Sequence, residues 1–354
     1  MPFKFSISNI EDELRENGWF NSGCHFIVDG QYGSTGKGAL AAVIARAGRK
    51  SIEIYATNAG PNSGHTAVVD GKKIVTTQLP VGAAVARITN GPQFDVYLTA
   101  GAIIYPAMLQ HEVEQFGVVP TIHPCAAIIE SKHLDQEQSN GSSRVAGTAK
   151  GVGAALADKI NREGNLWGRQ DSWYGYSGVI DLTDRCVLHE SAQGFSLGIN
   201  DPRFAPFTTS RECTLQQAMS DARIPISQVR KVAMTLRTAP IRVGNTQVGY
   251  SGDFYEDQKE TSWEELGLPE EYTTVTKRVR RVFTWSWIQY AEALKVNEPD
   301  LICVNFMDYL KQDEREPFIK HMVEEYRRIL PHKARPVVLC GFGPEIDHMG
   351  IWHE

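Results

Sequence analysis

Residues 26–46, FIVDGQYGSTGKGALAAVIAR, run from an apolar stretch through a glycine-rich turn into an alanine-rich segment. Strand, turn and helix in that order are the architecture of a phosphate cradle. Gly30, Gly33, Gly36 and Gly38 can adopt φ > 0 and let backbone amides approach an anion, while the helix beginning near Ala39 aims its positive end at the same point. Lys37 would supply a mobile charge. The turn is not a Walker A loop, because Gln31 stands where that motif needs glycine and Gly38 where it needs a hydroxyl for magnesium. Taken alone, it also fits a purely structural corner.

Alternation of apolar runs and amphipathic segments continues beyond it. Strands are expected at 24–29, 51–57, 94–99 and 124–129, and helices at 37–48 and 103–117. A second series follows: an apolar stretch at 230–236, a helix at 286–295, a strand at 300–304, a helix at 315–330 and a last strand at 336–340. This pattern predicts an α/β fold with a mainly parallel central sheet flanked by helices. The polar, Gly/Ser-rich stretch from about 135 to 180 reads as long loops around a site. With no internal repeat and no long linker, 1–354 is read as a single domain, in which 1–23 is an N-terminal extension carrying a short surface helix.

Composition excludes several classes. No apolar run approaches the roughly 20 residues of a membrane helix, and a formal charge of −6 argues against binding polymeric nucleic acid while leaving nucleotide monomers open. The N-terminus lacks a signal-peptide core, and the six cysteines are scattered without metal or disulfide spacing. A cytoplasmic protein with reduced thiols is expected.

Four further segments carry chemistry. NAGPNSGHT places Asn58, Gly60, Asn62, Gly64, His65 and Thr66 after the second strand, where His65 could bind a phosphoryl oxygen or act as an acid. AGTAKGVG sets Thr148 and Lys150 in another glycine-rich turn suited to a second phosphate. HESAQG presents Gln193, whose amide could fix a purine edge or polarise a reacting oxygen. In TVTKRVRRVF an extended backbone would put Arg278 and Arg280 on one face as a two-pronged carboxylate receptor. A solvated basic strand is the plainer account.

The order QYGSTGKG (31–38), NSGHT (62–66), GTAKGVG (147–153), ESAQG (190–194), PFTTS (206–210), IRVG (241–244), T-x-R-x-R-R (276–281) and GFGP (341–344) resembles the adenylosuccinate synthetase family across roughly residues 24–345. The resemblance implies that family's P-loop-like fold with large functional loops, and a two-stage ligation. A purine 6-oxygen is first phosphorylated, and aspartate's amine then displaces the phosphate. It implies catalytic roles for Ser34, Lys37, His65 and Gln193, with His65 donating to the 6-oxygen. The phosphate donor would lie on Gly33, Ser34, Thr35, Gly36, Lys37, Gly38, Gly64, His65, Thr66, Asn305, Asp308, Gly343 and Pro344. Ser34, Asn62, Thr148, Lys150, Gln193, Thr209 and Arg242 would hold the purine monophosphate, and Thr276, Arg278 and Arg280 the aspartate. Ser34 and Gly64 would hold Mg2+. A homodimer is implied, with Arg144 or Arg169 reaching across to the substrate phosphate.

Two positions depart from the family pattern. The usual loop reads Gly-Asp-Glu-Gly-Lys-Gly, and its Asp serves as base and magnesium ligand; here Ser34 stands in that place. In this the chain is similar to the bacteriophage branch that makes 2-aminoadenylosuccinate from dGMP. Ser34 could bind magnesium or steer a water, and Asp29 could substitute as base or simply cap its strand. The guanine-reading Lys-x-Asp segment is replaced by VNFMDYL, which keeps Asn305 and Asp308 but has Phe306 for Lys, so ATP or dATP is expected as donor rather than GTP. The reading is therefore a ligase of dGMP, L-aspartate and ATP or dATP, acting in the host cytoplasm if phage-encoded. The alternatives are an ordinary synthetase using IMP and GTP, or a nucleotide-binding protein without catalysis.

Overall fold

In the computed structural model the described residues are 3–139, 145–169, 172–247, 249–273 and 277–353, the side chain of Arg169 excepted. Thr276 and Arg144, and the side chain of Arg169, therefore lie outside what can be located.

The strand Gly23–Asp29 is buried along its whole length and sits in the interior of an 11-stranded sheet. On one side of it lie Cys186–Glu190, Ile54–Thr57, Asp95–Leu98, Thr121–Ile122 and Tyr176–Ser177; on the other lie Val229–Arg237, Leu301–Asn305 and Val337–Gly341. All of these pair in parallel. Strands buried on both faces read as continuous apolar runs, which is why VVLCG and LICVN were legible as strands. Met349–Trp352 and then Phe3–Phe5 close one edge in antiparallel pairing.

The chain leaves Gly23–Asp29 through the helix Lys37–Ala47 toward one half of the sheet, and later returns to the other side with Val229–Arg237. That reversal makes Gly23–Asp29 the topological switch point, where the crevice outside the carboxyl ends of the strands receives ligands. Asp29, Glu190, Arg237 and Asn305 are the last residues of four neighbouring strands.

Several expectations need correction. The expected strand 124–129 shrinks to Ala127–Ile128, which pairs with Ile103–Ile104 outside the main sheet. The 135–180 stretch holds most of the helix Ser131–Ser139 and all of Val152–Asn161, the latter packing Val152 and Ala155 against Ile103 and Ile129. Polar composition hid the first, SKHLDQEQS, which buries only His133. The strand at 337–341 is not the last, since Met349–Trp352 follows it. The N-terminal helix Ile7–Glu16, capped by the Ser6 hydroxyl, buries Ile10 and Leu14 against the central core. Residues 3–16 are thus built into the sheet edge and core rather than appended to them.

Candidate active site

Loops at the carboxyl ends of the central strands each pivot through a left-handed residue that is not glycine: Ser34 (φ 55°), Gln193 (φ 68°) and Phe306 (φ 60°). Such backbone is uncommon outside glycine and clusters where the surrounding structure holds it in place for function. The first loop is held from inside by Asp29. Its carboxylate accepts from the Gln31 and Gly33 amides (2.9 and 3.2 Å), from the Thr35 hydroxyl and from Lys37 Nζ (2.9 Å). Buried and saturated with donors, Asp29 is the strand-end cap of the two readings open in the sequence.

Lys37 is accordingly not mobile. Its ammonium is buried, bound to Asp29 and to the Gln193 carbonyl at 2.7 Å, so it ties the first loop to the Gln193 loop. Gly194 abuts Gly33 so closely that an added Cβ would lie 2.1 Å from the Gly33 nitrogen. Gly38 belongs to the helix rather than the turn, and its missing Cβ lets the helix seat on the backbone of Thr66.

Three adjoining cavities open over these loops. The largest, about 420 Å3, is lined by Ser34–Ala39, Gly64–Val68, Glu271, Arg280, Asn305, Phe306, Asp308, Tyr309, Gly343 and Pro344. Every residue expected to hold the phosphate donor lines it except Gly33, which lines its neighbour. Asn305, though in the lining, spends its amide on the Thr35 carbonyl (2.7 Å) and so shapes the loop. A second cavity of about 180 Å3 collects Asn62, Thr148, Gln193, Thr209 and Arg242 with Tyr32. Lys150 lines none of the three. Between them a central cavity of about 150 Å3 is bounded by Ser34, Lys37, Gly64, His65 and Arg280, shared with the first, and by Tyr32, Asn62, Thr148 and Gln193, shared with the second.

His65 opens the strand His65–Val69, and its Nδ1 lies 3.2 Å from the Glu190 carboxylate. Glu190 is fully buried and also accepts from the Val81 and Gly82 amides (3.1 and 2.7 Å). The carboxylate accepts a hydrogen from Nδ1 and leaves Nε2 to the cavity. Glu190 opens the ESAQG motif and ends the strand Cys186–Glu190, a position that does not by itself mark it as the partner of His65. Gln193 reaches Ser63 Oγ with its amide nitrogen at 3.3 Å.

Arg278 and Arg280 diverge instead of forming a fork. Arg278 donates to the carbonyls of Gly244, Ala146 and Gly147, beside Thr148, whereas Arg280 donates to Ser34 Oγ at 2.8 Å. The reason is local: regular strand begins only at Arg281, and Lys277 turns through φ 54°. Arg281, the third arginine of the run, is taken up by an ion pair with Glu260. Burial pushes Arg280 down to about 10, with Glu271 opposing the shift. Burial likewise brings Arg242 down to about 10; its guanidinium stacks 4.8 Å from the Tyr32 ring and donates to the Ser251 and Phe207 carbonyls.

No Asp or Glu lines the central cavity among the described residues. Nor do they include a group of three His, Cys, Asp or Glu side chains able to hold a metal by themselves. No helix among them is long and apolar enough to cross a membrane.

Comparison with known proteins gives the family. The adenylosuccinate synthetase family profile matches residues 26–170 and 177–321. The N6-succino-2-amino-2'-deoxyadenylate synthase of Salmonella phage PMBT28 is 34% identical, over 94% of this chain and 98% of that protein. The enzyme of the same name from Vibrio phage phiVC8 is 33% identical, covering 92% and 97%. Among solved structures, the cyanophage S-2L succinoaminodeoxyadenylate synthetase bound to dGMP and dATP superposes with a TM-score of 0.82 at 31% identity, covering 94% of this chain and 96% of that one. The fully ligated adenylosuccinate synthetase of Plasmodium falciparum shares the fold at a TM-score of 0.73 and 17% identity. The chain is a member of the adenylosuccinate synthetase family.

Proposed function

We propose that the protein joins L-aspartate to C6 of dGMP, using ATP or dATP, to give 2-amino-N6-succinyl-dAMP. The observation that carries this reading is the central cavity, where Lys37 and His65 from the donor side meet Asn62, Thr148 and Gln193 from the monophosphate side. In the first step O6 of guanine attacks the γ-phosphorus, the bond to the β-phosphate oxygen breaks, ADP or dADP leaves, and N1 gives up its proton to water. In the second, aspartate's amine bonds to C6, the C6–O bond breaks, and phosphate departs, taking the proton that the amine loses. Phosphorylation is needed because a purine carbonyl oxygen is a poor leaving group, so both reactants must converge on one atom.

Each side chain takes the part its surroundings allow. His65, with Nδ1 bonded to Glu190, donates in its doubly protonated form from Nε2 to the 6-oxygen as it bonds phosphorus. Gln193 fixes the purine edge, Thr148, Thr209, Asn62 and Arg242 hold the monophosphate, and the arginine segment takes aspartate. Ser34 replaces the usual aspartate with a neutral hydroxyl that Arg280 already engages, which makes room for the guanine 2-amino group. A magnesium ion fits as a companion of the nucleotide phosphates: Ser34 Oγ keeps one lone pair and Gly64 lies beside it in both linings. Once bound it would neutralise charge on the phosphates. Phe306 in place of a guanine-reading lysine favours an adenine donor. The proposal includes a homodimer working in the cytoplasm, checked by sedimentation.

The test is phosphate release from ATP, dATP or GTP with dGMP, GMP or IMP, with and without aspartate. Aspartate-dependent release with dGMP is expected. Release with IMP alone would return the chain to ordinary purine ligation, and silence throughout would make it a binding protein.

A further inference from the structure

Arg237 ends the central strand Val229–Arg237 and is completely buried. Its guanidinium pairs with Glu271 through Nη2–Oε1 (2.5 Å) and Nη1–Oε2 (3.1 Å), and Nη1 also reaches the Ser34 carbonyl at 3.3 Å. It lies 3.9 Å from the centre of the Phe306 ring, in the wall of the donor cavity. Glu271 accepts from the Tyr309 hydroxyl (2.8 Å), and its carbonyl accepts from the Arg280 amide (2.8 Å). Arg280 Nη1 returns to Ser34 Oγ. Ser34, Arg237, Glu271 and Arg280 thus form a closed ring, and Phe306 and Tyr309 press on it from the donor side.

A buried ion pair gains little stability over well-packed neutral groups, so stability alone is a weak reason for this one. We infer that Arg237 and Glu271 are a positioning pair that couples occupation of the donor cavity to the geometry of Ser34 and the Arg280 arm. Resting on the proposed ligase reading, it assigns the coupling of donor and aspartate binding to these residues. A donor base against Phe306 and Tyr309 bears on the guanidinium and carboxylate, and the same two groups fix the backbone of Ser34 and the amide of Arg280. Both residues act through others and neither is assigned a chemical step.

The coupling is measured by titrating aspartate into the enzyme with its purine monophosphate, with and without a non-hydrolysable ATP analogue. In the parent, the analogue should tighten aspartate binding by about 5- to 150-fold, the usual span of a coupling between sites. Glu271→Gln alone strands a buried cation and can unfold the chain, so the decisive variant is Arg237→Met with Glu271→Gln, which carries no net charge. It should melt near the parent temperature yet show a coupling factor near one. A coupling equal to the parent's, or no coupling in the parent, overturns the inference. Should the double variant not fold, Tyr309→Phe removes one hydrogen bond and no charge, and an unreduced coupling there has the same meaning. The result is separable from the ligase reading: if the parent accepts IMP and not dGMP, that reading fails while the titration runs unchanged with IMP.

Discussion

His65 Nδ1 and Glu190 Oε2 stand 3.2 Å apart beneath the central cavity, and the Val81 and Gly82 amides hold the same carboxylate in place. The imidazole therefore cannot rotate without breaking a buried carboxylate's bond. His65→Asn should lower kcat by roughly two to four orders of magnitude, the usual contribution of a positioned acid. Glu190→Gln should lower kcat with the Michaelis constants little changed, because it disturbs the acid and leaves the substrate contacts. The double variant should be no worse than His65→Asn alone, since residues acting as a unit are not additive. Full additivity would show that Glu190 serves the fold and not the imidazole.

Glu271 gives a pH signature. Burial alone would raise its pKa, but the Arg237 charge and the bonds from Arg237 and Tyr309 outweigh burial and hold the carboxyl below its usual range. A carboxylate whose folded pKa is depressed contributes stability that is fully present above the unfolded value, about 4.3, and is lost as pH falls through the folded one. The melting-temperature gap between the parent and Glu271→Gln should accordingly be flat above about pH 6 and narrow on acidification. A gap that is constant down to about pH 3 would mean that the ion pair carries none of it.

Gly38 tests how the helix sits on the site. An added Cβ would meet the Thr66 nitrogen and oxygen at 2.6 Å, and backbone cannot step aside as a side chain can. Gly38→Ala should cost about 1–3 kcal/mol in unfolding free energy, the usual range for overpacking. Since Thr66 follows His65, kcat should fall as well. Gly38 lies inside the helix Lys37–Ala47, where alanine is otherwise favoured over glycine by roughly 0.5–1 kcal/mol, so a lowered melting temperature reports the packing. An unchanged or raised melting temperature would remove packing against Thr66 as a constraint.

How legible this was in the sequence depended on whether a signal was local. Gly23–Asp29, Lys37–Ala47, Leu301–Asn305 and Val337–Gly341 announce themselves because strands buried on both faces, and the helix packed on them, are apolar nearly throughout. The helices Ser131–Ser139 and Val152–Asn161 do not, since their stability comes partly from a distant bond: the Glu137 carboxylate caps the second through the Gly151 and Gly153 amides at 2.7 Å. In the site, residues stood out inside their motifs and their pairings did not. Lys37 was visible but its burial against Asp29 was not, His65 was visible without Glu190, and Ser34 without Arg237 and Glu271. Glu190, Arg237 and Glu271 lie far along the chain, on other strands or loops that the fold brings alongside.

Ser34 is the residue on which substrate choice should turn. It adopts φ 55°, conformational space that aspartate tolerates better than most residues, so Ser34→Asp should fold. Its hydroxyl accepts from Arg280 Nη1 at 2.8 Å, and a carboxylate in the same place would form a charge-assisted bond to that guanidinium. Two consequences follow. The central cavity, lined by no Asp or Glu among the described residues, would gain a group able to take the N1 proton of a purine lacking a 2-amino substituent. The same carboxylate would crowd the 2-amino group of guanine and would hold Arg280 more tightly away from aspartate. Ser34→Asp should therefore shift the ratio of kcat/KM for dGMP over IMP toward IMP, while raising KM for aspartate with either purine. The measurement is steady-state phosphate release with each purine monophosphate across a range of aspartate concentrations. An unchanged dGMP preference would place the discrimination elsewhere in the monophosphate cavity, and an unchanged aspartate KM would mean that Arg280 serves Ser34 and not the amino acid.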